Sequence, residues 1–294
     1  MAERNVEIRK LQMRQDTAAN WESKNPVLAA GEFGYDTTGD VTKIGDGKTA
    51  WNALPAFATT RFTFASAGWG DIARIASSGE ASKYFHVGDE KTITLSTGEE
   101  VTFVILGFNH DDLTAGGKAP ITIGMKNLLA TTYPMNGSNT NVGGWDTCVM
   151  RTQTMQTILS QLPDDLQAVI KPVNKKTTAG NKLTSITTSS DKLFLFSAIE
   201  IEGKNYPPAN LAGCADEGEQ YEYWRTIKDG AGTGASANPD RIKYLSNGGG
   251  SAAIWWLRSP NPSTATNFCY VSSTGVIYYF IASNTRGVCV GFCI

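Results

Sequence analysis

Two stretches decide the fold of this sequence: Ile254-Trp-Trp-Leu-Arg-Ser-Pro260 and Phe268-Cys-Tyr-Val-Ser-Ser-Thr-Gly-Val-Ile-Tyr-Tyr-Phe-Ile281. The first is an apolar run that stops at a proline, which is typical of a buried strand at its end. The second carries two runs of β-branched and aromatic residues on either side of Ser273-Thr-Gly275, the pattern of a β-hairpin. The sequence therefore predicts a strand followed by a hairpin near the end of the chain.

Alternation along the hairpin separates its two faces, because successive side chains of a strand point to opposite sides of the sheet. One face has the better core residues: Cys269, Val271, Ile277 and Ile281. The other face is expected to project four rings into solvent: Phe268, Tyr270, Tyr278 and Phe280. Exposed aromatic patches mark interaction sites, so this face is a candidate binding surface.

The composition around the hairpin is that of an antibody paratope. Residues 261–294 contain no Asp, Glu, Lys, Gln, Met or Trp, and Arg286 is their only charged side chain. Tyr supplies rigid contact area, while Ser, Thr and Asn supply adaptable hydrogen bonds. An ordinary Tyr- and Thr-rich hairpin has the same composition, because aromatic residues favour strands anyway. Composition alone leaves both interpretations open.

The charge and composition of the whole chain exclude several classes of protein. Its 294 residues include 26 Lys and Arg and 28 Asp and Glu, a formal charge of −2, so the usual electrostatic basis for binding nucleic acid or anionic lipid is missing. Charged residues make up only 18% and Gly is frequent, which favours a turn-rich β protein. No apolar run reaches the roughly 20 residues that cross a bilayer. Because Met1–Lys10 alternates charges where a secretion signal would be apolar, we expect synthesis in a cytoplasm.

The first 58 residues form one compositional unit. We expect strands around Val6, Ile8 and Leu11, and a short helix capped by Asp16 that breaks at Asn25-Pro26. Strands follow at Gly31–Tyr35 and Val41–Ile44. So few apolar positions give a marginal core, and the unit is expected to pack against copies of itself.

The remainder, residues 59–294, mixes helical and strand patterns. Helices are predicted at Asp71–Ala76, Met150–Leu162 and Leu166–Lys171. Strands are predicted at Lys91–Leu95, Glu100–Gly107 and Lys192–Ile201. Five cysteines are too scattered for a disulfide scaffold, and in a strand Cys289 and Cys293 would lie about 13 Å apart, so buried thiols are expected.

A search for catalytic motifs favours a protein that is not an enzyme. The only histidines are His86 and His110, and neither belongs to a nucleophile-elbow, zinc or phosphate-loop motif. Asp36, Asp40 and Asp46 do not have the spacing of a calcium loop. We therefore predict no catalytic residue, metal or cofactor.

Residues 8–58 resemble the N-terminal domain of the phage major tropism determinant family. The resemblance rests on Ile8-Arg-Lys-Leu-Gln-Met-Arg-Gln-Asp-Thr-Ala-Ala-Asn-Trp21, Asn25-Pro-Val-Leu-Ala-Ala-Gly-Glu-Phe-Gly-Tyr35 and Lys43-Ile-Gly-Asp-Gly-Lys-Thr-Ala-Trp-Asn-Ala-Leu-Pro55. It implies a trimeric β-prism that attaches a receptor-binding end to the phage tail.

Residues 59–294 resemble phage and bacterial domains with a C-type-lectin-like fold. The motifs are Gly107-Phe-Asn-His-Asp111, Gly143-Gly-Trp145, Met150-Arg151, Leu162-Pro163, Asp191-Lys-Leu-Phe-Leu195, Glu217-Gly-Glu-Gln-Tyr221, Trp255-Trp-Leu-Arg-Ser-Pro260 and Gly291-Phe-Cys-Ile294. The fold is shared with the formylglycine-generating enzyme and with the variable proteins of diversity-generating retroelements. In those proteins mutagenised Asn codons cannot yield Lys, Glu, Gln, Met or Trp, which agrees with residues 261–294.

The resemblance has two departures. The terminal Gly287-Val-Cys-Val-Gly-Phe-Cys-Ile294 differs from the Gly-Val-Arg-Pro-like ending of relatives, so a catalytic cysteine pair is not carried over. The Glu-Pro-Asn and Trp-Asn-Asp motifs of animal lectins are also missing from the sequence, so calcium-dependent sugar binding is not implied.

Together these features predict a homotrimeric receptor-binding protein at the tip of a phage tail fibre. The fold class is mainly β with an α+β C-terminal domain: a β-prism-like attachment module at 1–58 and a lectin-like domain at 59–294. The partners are a host-surface receptor (protein or glycan) and other tail proteins, without nucleic acid or membrane insertion. The expected ligand-binding residues lie in the variable segment 261–286: Ser263, Thr264, Thr266, Asn267, Phe268, Tyr270, Ser272, Thr274, Tyr278, Tyr279, Phe280, Ser283, Asn284 and Arg286. The alternatives are a formylglycine-generating-type or glycan-degrading enzyme, and a structural fibre segment whose tip is a separate protein.

Overall fold

The computed structural model describes residues 13–59, 63–203, 213–214, 216–225, 239–248 and 250–294. Contacts between Cα atoms divide the chain into two compact units, Met1–Thr63 and Phe64–Ile294. Both units consist mainly of β-strands joined by short helices, so the predicted β-rich class is confirmed. The strands expected around Val6, Ile8 and Leu11 lie outside the described residues.

The first unit contains a four-stranded sheet and a small core. Its elements are β1 (Arg14–Asp16), α1 (Ala18–Lys24), β2 (Phe33–Asp36), β3 (Val41–Ile44) and β4 (Ala56–Thr59), with the strands in the order β1-β2-β3-β4. Trp21 and Trp51 stack with their ring centroids 4.0 Å apart, next to Leu28 and Leu54. Gly34 lies against this pair, and a Cβ there would come within 2.5 Å of the Trp51 ring. Glycine at this position therefore lets the sheet approach the tryptophans.

The helix predicted after Asp16 is present, but its cap is the next residue. Thr17 precedes α1, and its hydroxyl accepts a hydrogen bond from the backbone N–H of Asn20. The Asp16 carboxylate instead accepts from the Thr17 N–H and from the Asn20 side chain. Asn25 ends the helix in the left-handed region (φ 38°), as the Asn25-Pro26 break predicts. The cap moves by one residue because a threonine hydroxyl serves the first turn as well as a carboxylate does.

The described part of the second unit contains six short α-helices and several small sheets. The described helices are α2 (Trp69–Ser77), α3 (Ala81–Tyr84), α4 (Gly144–Thr147), α5 (Met155–Gln161), α6 (Asp164–Val169) and α7 (Ala198–Glu202). The described strands are β5 (Glu90–Thr94), β6 (Glu100–Phe108), β7 (Ile121–Met125), β8 (Val173–Gly180), β9 (Leu183–Asp191), β10 (Lys243–Tyr244), β11 (Ala252–Ala253), β12 (Trp255–Pro260), β13 (Asn267–Val271), β14 (Ile277–Ile281) and β15 (Gly291–Cys293).

These strands form four sheets around a buried aromatic core. The sheet orders are β15-β7-β6-β5, β8-β9, β12-β13-β14 and β10-β11. Phe292 on β15 packs edge-on against Trp69 and Phe103, at centroid distances of 6.0 and 5.1 Å. The end of the chain therefore lies at the centre of the unit. All five cysteines are buried and free, as the sequence predicts.

The helices and strands predicted in this unit are mostly confirmed, with one change in geometry. α2, β5 and β6 cover the predicted segments. The helix predicted at Met150–Leu162 begins with π-helical geometry over Met150–Thr154, continues as α5 and ends before Pro163.

The strand predicted at Lys192–Ile201 is wrong. Only Phe194 in this segment forms a β-bridge, and the chain enters α7 after Ser197. The Ser197 hydroxyl accepts from the Glu200 N–H, and the Glu200 carboxylate accepts from the Ser197 N–H, which makes a capping box. This local pairing starts a helix where the apolar composition alone favoured a strand.

Candidate binding site

The hairpin β13–β14 forms one side of the three-stranded sheet β12-β13-β14. Tyr270 pairs with Tyr278 across the hairpin and with Trp256 on the other side. At the turn, the Ser272 hydroxyl accepts from the backbone N–H groups of Thr274 and Val276. This register places the rings of Trp256, Tyr270 and Tyr278 side by side on one face.

Three rings of this region are exposed, and a fourth is half-buried. The exposed fractions are 50% for Tyr278, 40% for Phe280 and 39% for Tyr279. Tyr270 is half-buried, with its ring centroid 6.1 Å from that of Tyr278 and 6.3 Å from that of buried Trp256. We call Tyr270, Tyr278 and Phe280 the aromatic patch. Its rings become more exposed with distance from β12.

The prediction that Phe268 projects into solvent is wrong, because its side chain is fully buried. Phe268 has the predicted parity, but it lies on the middle strand of the sheet, paired with Pro260 on one side and Phe280 on the other. The backbone N–H groups of Met135 and Asn136 also donate to the carbonyl of Ala282 at this end of the hairpin. Alternation fixes the face of a residue, whereas its depth depends on the strands and loops around it.

Tyr279 lies on the opposite face from the aromatic patch. It shares that face with Cys269 and Ile277, which are both buried. Tyr279 is nevertheless exposed, although Ile277 on the same strand and the same face is buried. It therefore extends the exposed aromatic surface around the edge of the sheet.

Arg286 brings a positive charge to the aromatic patch. Its backbone pairs with Tyr133 through hydrogen bonds of 3.1 and 3.0 Å, which fixes the main chain. Its guanidinium lies over the ring of Phe280, 4.9 Å from the centroid. Burial raises the pKa of the Tyr270 hydroxyl, and the charge of Arg286 partly offsets this effect. The cation therefore lies near both Phe280 and Tyr270.

The polar residues predicted for the site differ in exposure. Ser263 and Thr274 are exposed. The others are partly buried: Thr264, Thr266, Asn267, Ser272, Ser283 and Asn284. The structure thus brings thirteen of the fourteen predicted residues at least partly to the surface, and Phe268 is the exception.

Asn141 shapes the loop before β13, and the sequence analysis missed it. Its buried amide donates to the carbonyls of Thr264 and Asn267, at 2.9 and 2.8 Å. Its side-chain oxygen accepts from the N–H of Asn181 at 2.8 Å. Asn141 lies two residues before Gly143-Gly-Trp145, one of the motifs quoted above, but its partners Thr264 and Asn267 are 123 and 126 residues away in sequence and Asn181 is 40 residues away. A local pattern cannot reveal such a contact.

Arg258 links β12 to neighbouring segments through its side chain. Its guanidinium binds the Glu200 carboxylate through two bonds, Nη1 to Oε2 at 2.5 Å and Nη2 to Oε1 at 2.8 Å. It also donates to the carbonyls of Leu195 and Glu217, at 2.8 and 2.9 Å. Arg258 is therefore held by one carboxylate and by backbone carbonyls. The bidentate geometry fixes β12 against α7.

The network continues from Glu200 to Asp111. Lys175 Nζ lies 2.6 Å from both Glu200 Oε1 and Asp111 Oδ1, and its chain is almost fully buried. Asp111 also accepts from the hydroxyls of Thr122 and Tyr221. Burial raises the pKa of Asp111, but the ammonium of Lys175 outweighs it and holds this pKa well below its usual range. The same competition, with Arg258 as the main partner, lowers the pKa of Glu200.

Glu217 behaves in the opposite way. It accepts from the N–H and hydroxyl of Thr178, and it bonds to the Ser259 hydroxyl on β12. Burial raises its pKa, and these hydrogen bonds offset only part of the increase. β12 is therefore held by carboxyl groups of two kinds: that of Glu200, whose pKa is lowered, and that of Glu217, whose pKa is raised.

A polar cleft of about 430 Å³ lies beside this network, and Asp111, Lys175, Glu200 and Glu217 are among the residues that line it. His110 lines it, stacks on Tyr221 at 4.0 Å and has Nε2 3.1 Å from the Glu219 carbonyl. The nearby thiol of Cys293 is buried, which raises its pKa well above the usual range and keeps it protonated. Among the described residues, His, Cys, Asp and Glu form no group of three that could hold a metal ion. Three of the charged residues that line the cleft, Asp111, Lys175 and Glu200, are thus paired with one another.

Two family matches cover most of the chain. Residues 122–294 match a family described as a domain of unknown function (DUF6273). Residues 11–49 match the major tropism determinant N-terminal domain. No match was found among curated proteins or solved structures. Within the described part of the chain, every helix is too short or too polar to cross a membrane.

Proposed function

Since the chain belongs to the family defined by the domain of unknown function DUF6273 and carries a match to the major tropism determinant N-terminal domain, we propose that it is a phage receptor-binding protein. The N-terminal match supports this proposal because the matched family is described as a major tropism determinant. In this proposal the protein is a component of the virion tail. It attaches to the tail through residues 1–58 and binds a host-surface ligand through the hairpin β13–β14.

The observation that carries the proposal is the contrast within one sheet. In the aromatic patch, Tyr278 is 50% and Phe280 40% exposed, while all six residues of β12 are buried. Each ring that docks can bury roughly 150–250 Å² against a ligand. The partly exposed Ser, Thr and Asn side chains can then fit polar groups around them. The protein would act by adhesion, without turnover.

The first unit supports a trimeric β-prism. Phe33 and Phe57 pack edge-on at 6.1 Å, and Phe57 is 65% exposed. A sheet with exposed rings on its outer face gains stability when a second copy covers them. Three copies would present three sites, and linked sites raise avidity by about 10²–10⁴.

We further propose that the second unit has a C-type-lectin-like fold and that residues 261–286 are its diversified segment. Two observations support this. One is the residue composition of 261–294. The other is that β12 is fully buried while the rings of β14 are exposed. The flanking DNA tests this part: a near-copy of the coding 3′ end that differs at adenines, beside a reverse-transcriptase gene, is the expected finding. Sibling genes that vary evenly along the chain would contradict it.

Binding itself is tested with the purified full chain, labelled with a fluorophore and added to a panel of bacterial isolates. We expect saturable binding to some isolates and loss of that binding in the triple variant Tyr270→Ala, Tyr278→Ala, Phe280→Ala. Tyr84→Ala is the matched control, because Tyr84 is 52% exposed but lies on α3. Unchanged binding by the folded triple variant would contradict the proposed face, and breakdown of a host polysaccharide by the chain would favour the enzymatic alternative.

A further inference from the structure

We propose that the ligand of the aromatic patch is an acidic saccharide whose anionic group, a carboxylate or a phosphate, pairs with Arg286. The inference rests on the proposed function and specifies the chemistry of the receptor. It starts from the one charged side chain in residues 261–294 and from what that side chain lacks.

Arg286 has too few partners for its charge. Its Nη1 donates to the carbonyl of Thr285 at 3.1 Å, while its buried Nε has no hydrogen-bond partner. Among the described residues no carboxylate forms an ion pair with it, in contrast to Arg258, which binds Glu200 through two hydrogen bonds. A guanidinium without a counter-charge is an open site for an anion, because it offers a planar set of donors that fits carboxylate and phosphate.

The position of Arg286 directs an incoming anion toward the rings. Its guanidinium is held over Phe280, so the terminal Nη atoms lie beside the aromatic patch. An anion that binds to these atoms lies at the edge of the aromatic patch, where the rest of its molecule can contact the neighbouring rings of Tyr270 and Tyr278. Because residues 261–294 contain no Asp or Glu, no carboxylate of this segment repels an acidic ligand.

The ratio of rings to charges favours a saccharide over an acidic peptide. Peptide motifs rich in acidic groups are bound by clusters of Arg, whereas this surface offers one Arg beside the three rings of the aromatic patch. The slightly positive C–H faces of a sugar fit the negative faces of aromatic rings. Its hydroxyl groups fit neutral polar side chains, and residues 261–294 are rich in Ser, Thr and Asn. One acidic unit within a largely neutral glycan matches this arrangement.

The test uses the full chain and surface polysaccharide purified from the isolates that the chain binds. Three forms are compared: untreated, carboxyl-reduced by carbodiimide and borohydride, and dephosphorylated with hydrogen fluoride. We expect at least tenfold weaker binding to one of the two treated forms. Weaker binding to the carboxyl-reduced form identifies a carboxylate, and weaker binding to the dephosphorylated form identifies a phosphate. Raising NaCl from 0.05 to 0.5 M is expected to weaken binding to the untreated form.

Variants of Arg286 link the anion to the residue. Arg286→Gln should bind the untreated polysaccharide at least tenfold more weakly and should no longer distinguish it from the sensitive treated form. Arg286→Lys keeps the charge but loses the planar donors, so an intermediate affinity is expected. Arg74→Gln, which removes an exposed charge on α2, is the control and should bind like the unmodified chain.

The outcomes separate this inference from the proposed function. If the triple ring variant loses cell binding while Arg286→Gln and both treated polysaccharides bind normally, the receptor is not recognised through an anion and the inference is wrong. Loss of cell binding after protease treatment of the bacteria would also overturn it, because the receptor would then be a protein. If the triple ring variant binds normally, the proposed function fails as well.

Discussion

β12 and β14 belong to the same three-stranded sheet, lie about 10 Å apart and have opposite environments. All six residues of β12 are buried, whereas the three central residues of β14 are exposed. β12 is fixed by specific partners: Trp256 Nε1 donates to the carbonyl of Tyr133 at 2.9 Å, and Arg258 binds Glu200. One strand therefore carries the stability of the region, and the other carries side chains that can change.

Arg258→Met is expected to give the largest loss of stability. The variant leaves the Glu200 carboxylate buried without its main counter-charge, and removing one member of a buried ion pair costs about 3–5 kcal/mol. The free energy of unfolding, from chemical denaturation followed by tryptophan fluorescence, measures this. A loss below about 1 kcal/mol would show that β12 does not depend on the network.

Phe268→Ala and Phe280→Ala compare two rings that are direct neighbours across the hairpin. Phe268 is fully buried, so its truncation should cost about 3–5 kcal/mol. Phe280 is 40% exposed, and its truncation should change the free energy of unfolding by no more than about 0.5 kcal/mol. Equal losses from the two variants would mean that β14 contributes to the core as much as β13.

The local sequence predicted the hairpin and which side chains share a face of it. It did not predict how deeply each side chain is buried. Alternation placed Phe268 and Phe280 on the same face, and only the order of the strands separates the buried ring from the exposed one. The same limit explains Lys192–Ile201, where an apolar run fits a strand or a helix equally well. Ser197-Ala-Ile-Glu200 was the available signal for a helix start there.

The buried network could not be predicted, because its members are far apart in sequence. Lys175 is 64 residues from Asp111 and 25 from Glu200. Arg258 stands inside an apolar run of the sequence, but nothing in that run identifies Glu200 as its partner. Charged residues are usually exposed. A buried ion pair can therefore be recognised only from the structure, where both of its members are seen in contact.

Acid titration tests the two kinds of carboxyl group that hold β12. The lowered pKa values of Asp111 and Glu200 mean that their stabilising effect is complete above pH 4 to 5 and is lost as the pH falls through the folded values. The raised pKa of Glu217 has the opposite sign, because its contribution is present at low pH and is lost as the pH rises through the folded value.

Glu217→Gln should therefore remove the decrease in stability above pH 5 and leave the loss below pH 4 unchanged. Denaturation curves recorded from pH 3 to 7 for both proteins measure this difference. If the two profiles are parallel over the whole range, Glu217 is not the group that titrates.

Asn141→Ala should have an intermediate effect. The variant leaves the partly buried carbonyls of Thr264 and Asn267 and the N–H of Asn181 without this partner, and an unsatisfied buried polar group costs about 1–3 kcal/mol. Hydrogen exchange should increase in residues 261–267 and stay unchanged in β12. Faster exchange in β12 as well would show that the loop and the strand unfold as one unit.

Tyr278→Ser should have the smallest effect on stability. Tyr278 is 50% exposed, and serine is among the residues that an exposed binding face uses, so the free energy of unfolding should stay within about 0.5 kcal/mol of the original. Trp256→Ser on β12 is the matched comparison, because Trp256 lies across β13 on the same face and is fully buried, and it should cost at least about 3 kcal/mol. A sheet that tolerates the first change and not the second can vary its ligand-binding side chains without losing its fold. If Tyr278→Ser proved as costly as Trp256→Ser, the exposed strand would be part of the core, and sequence change there would be limited by folding.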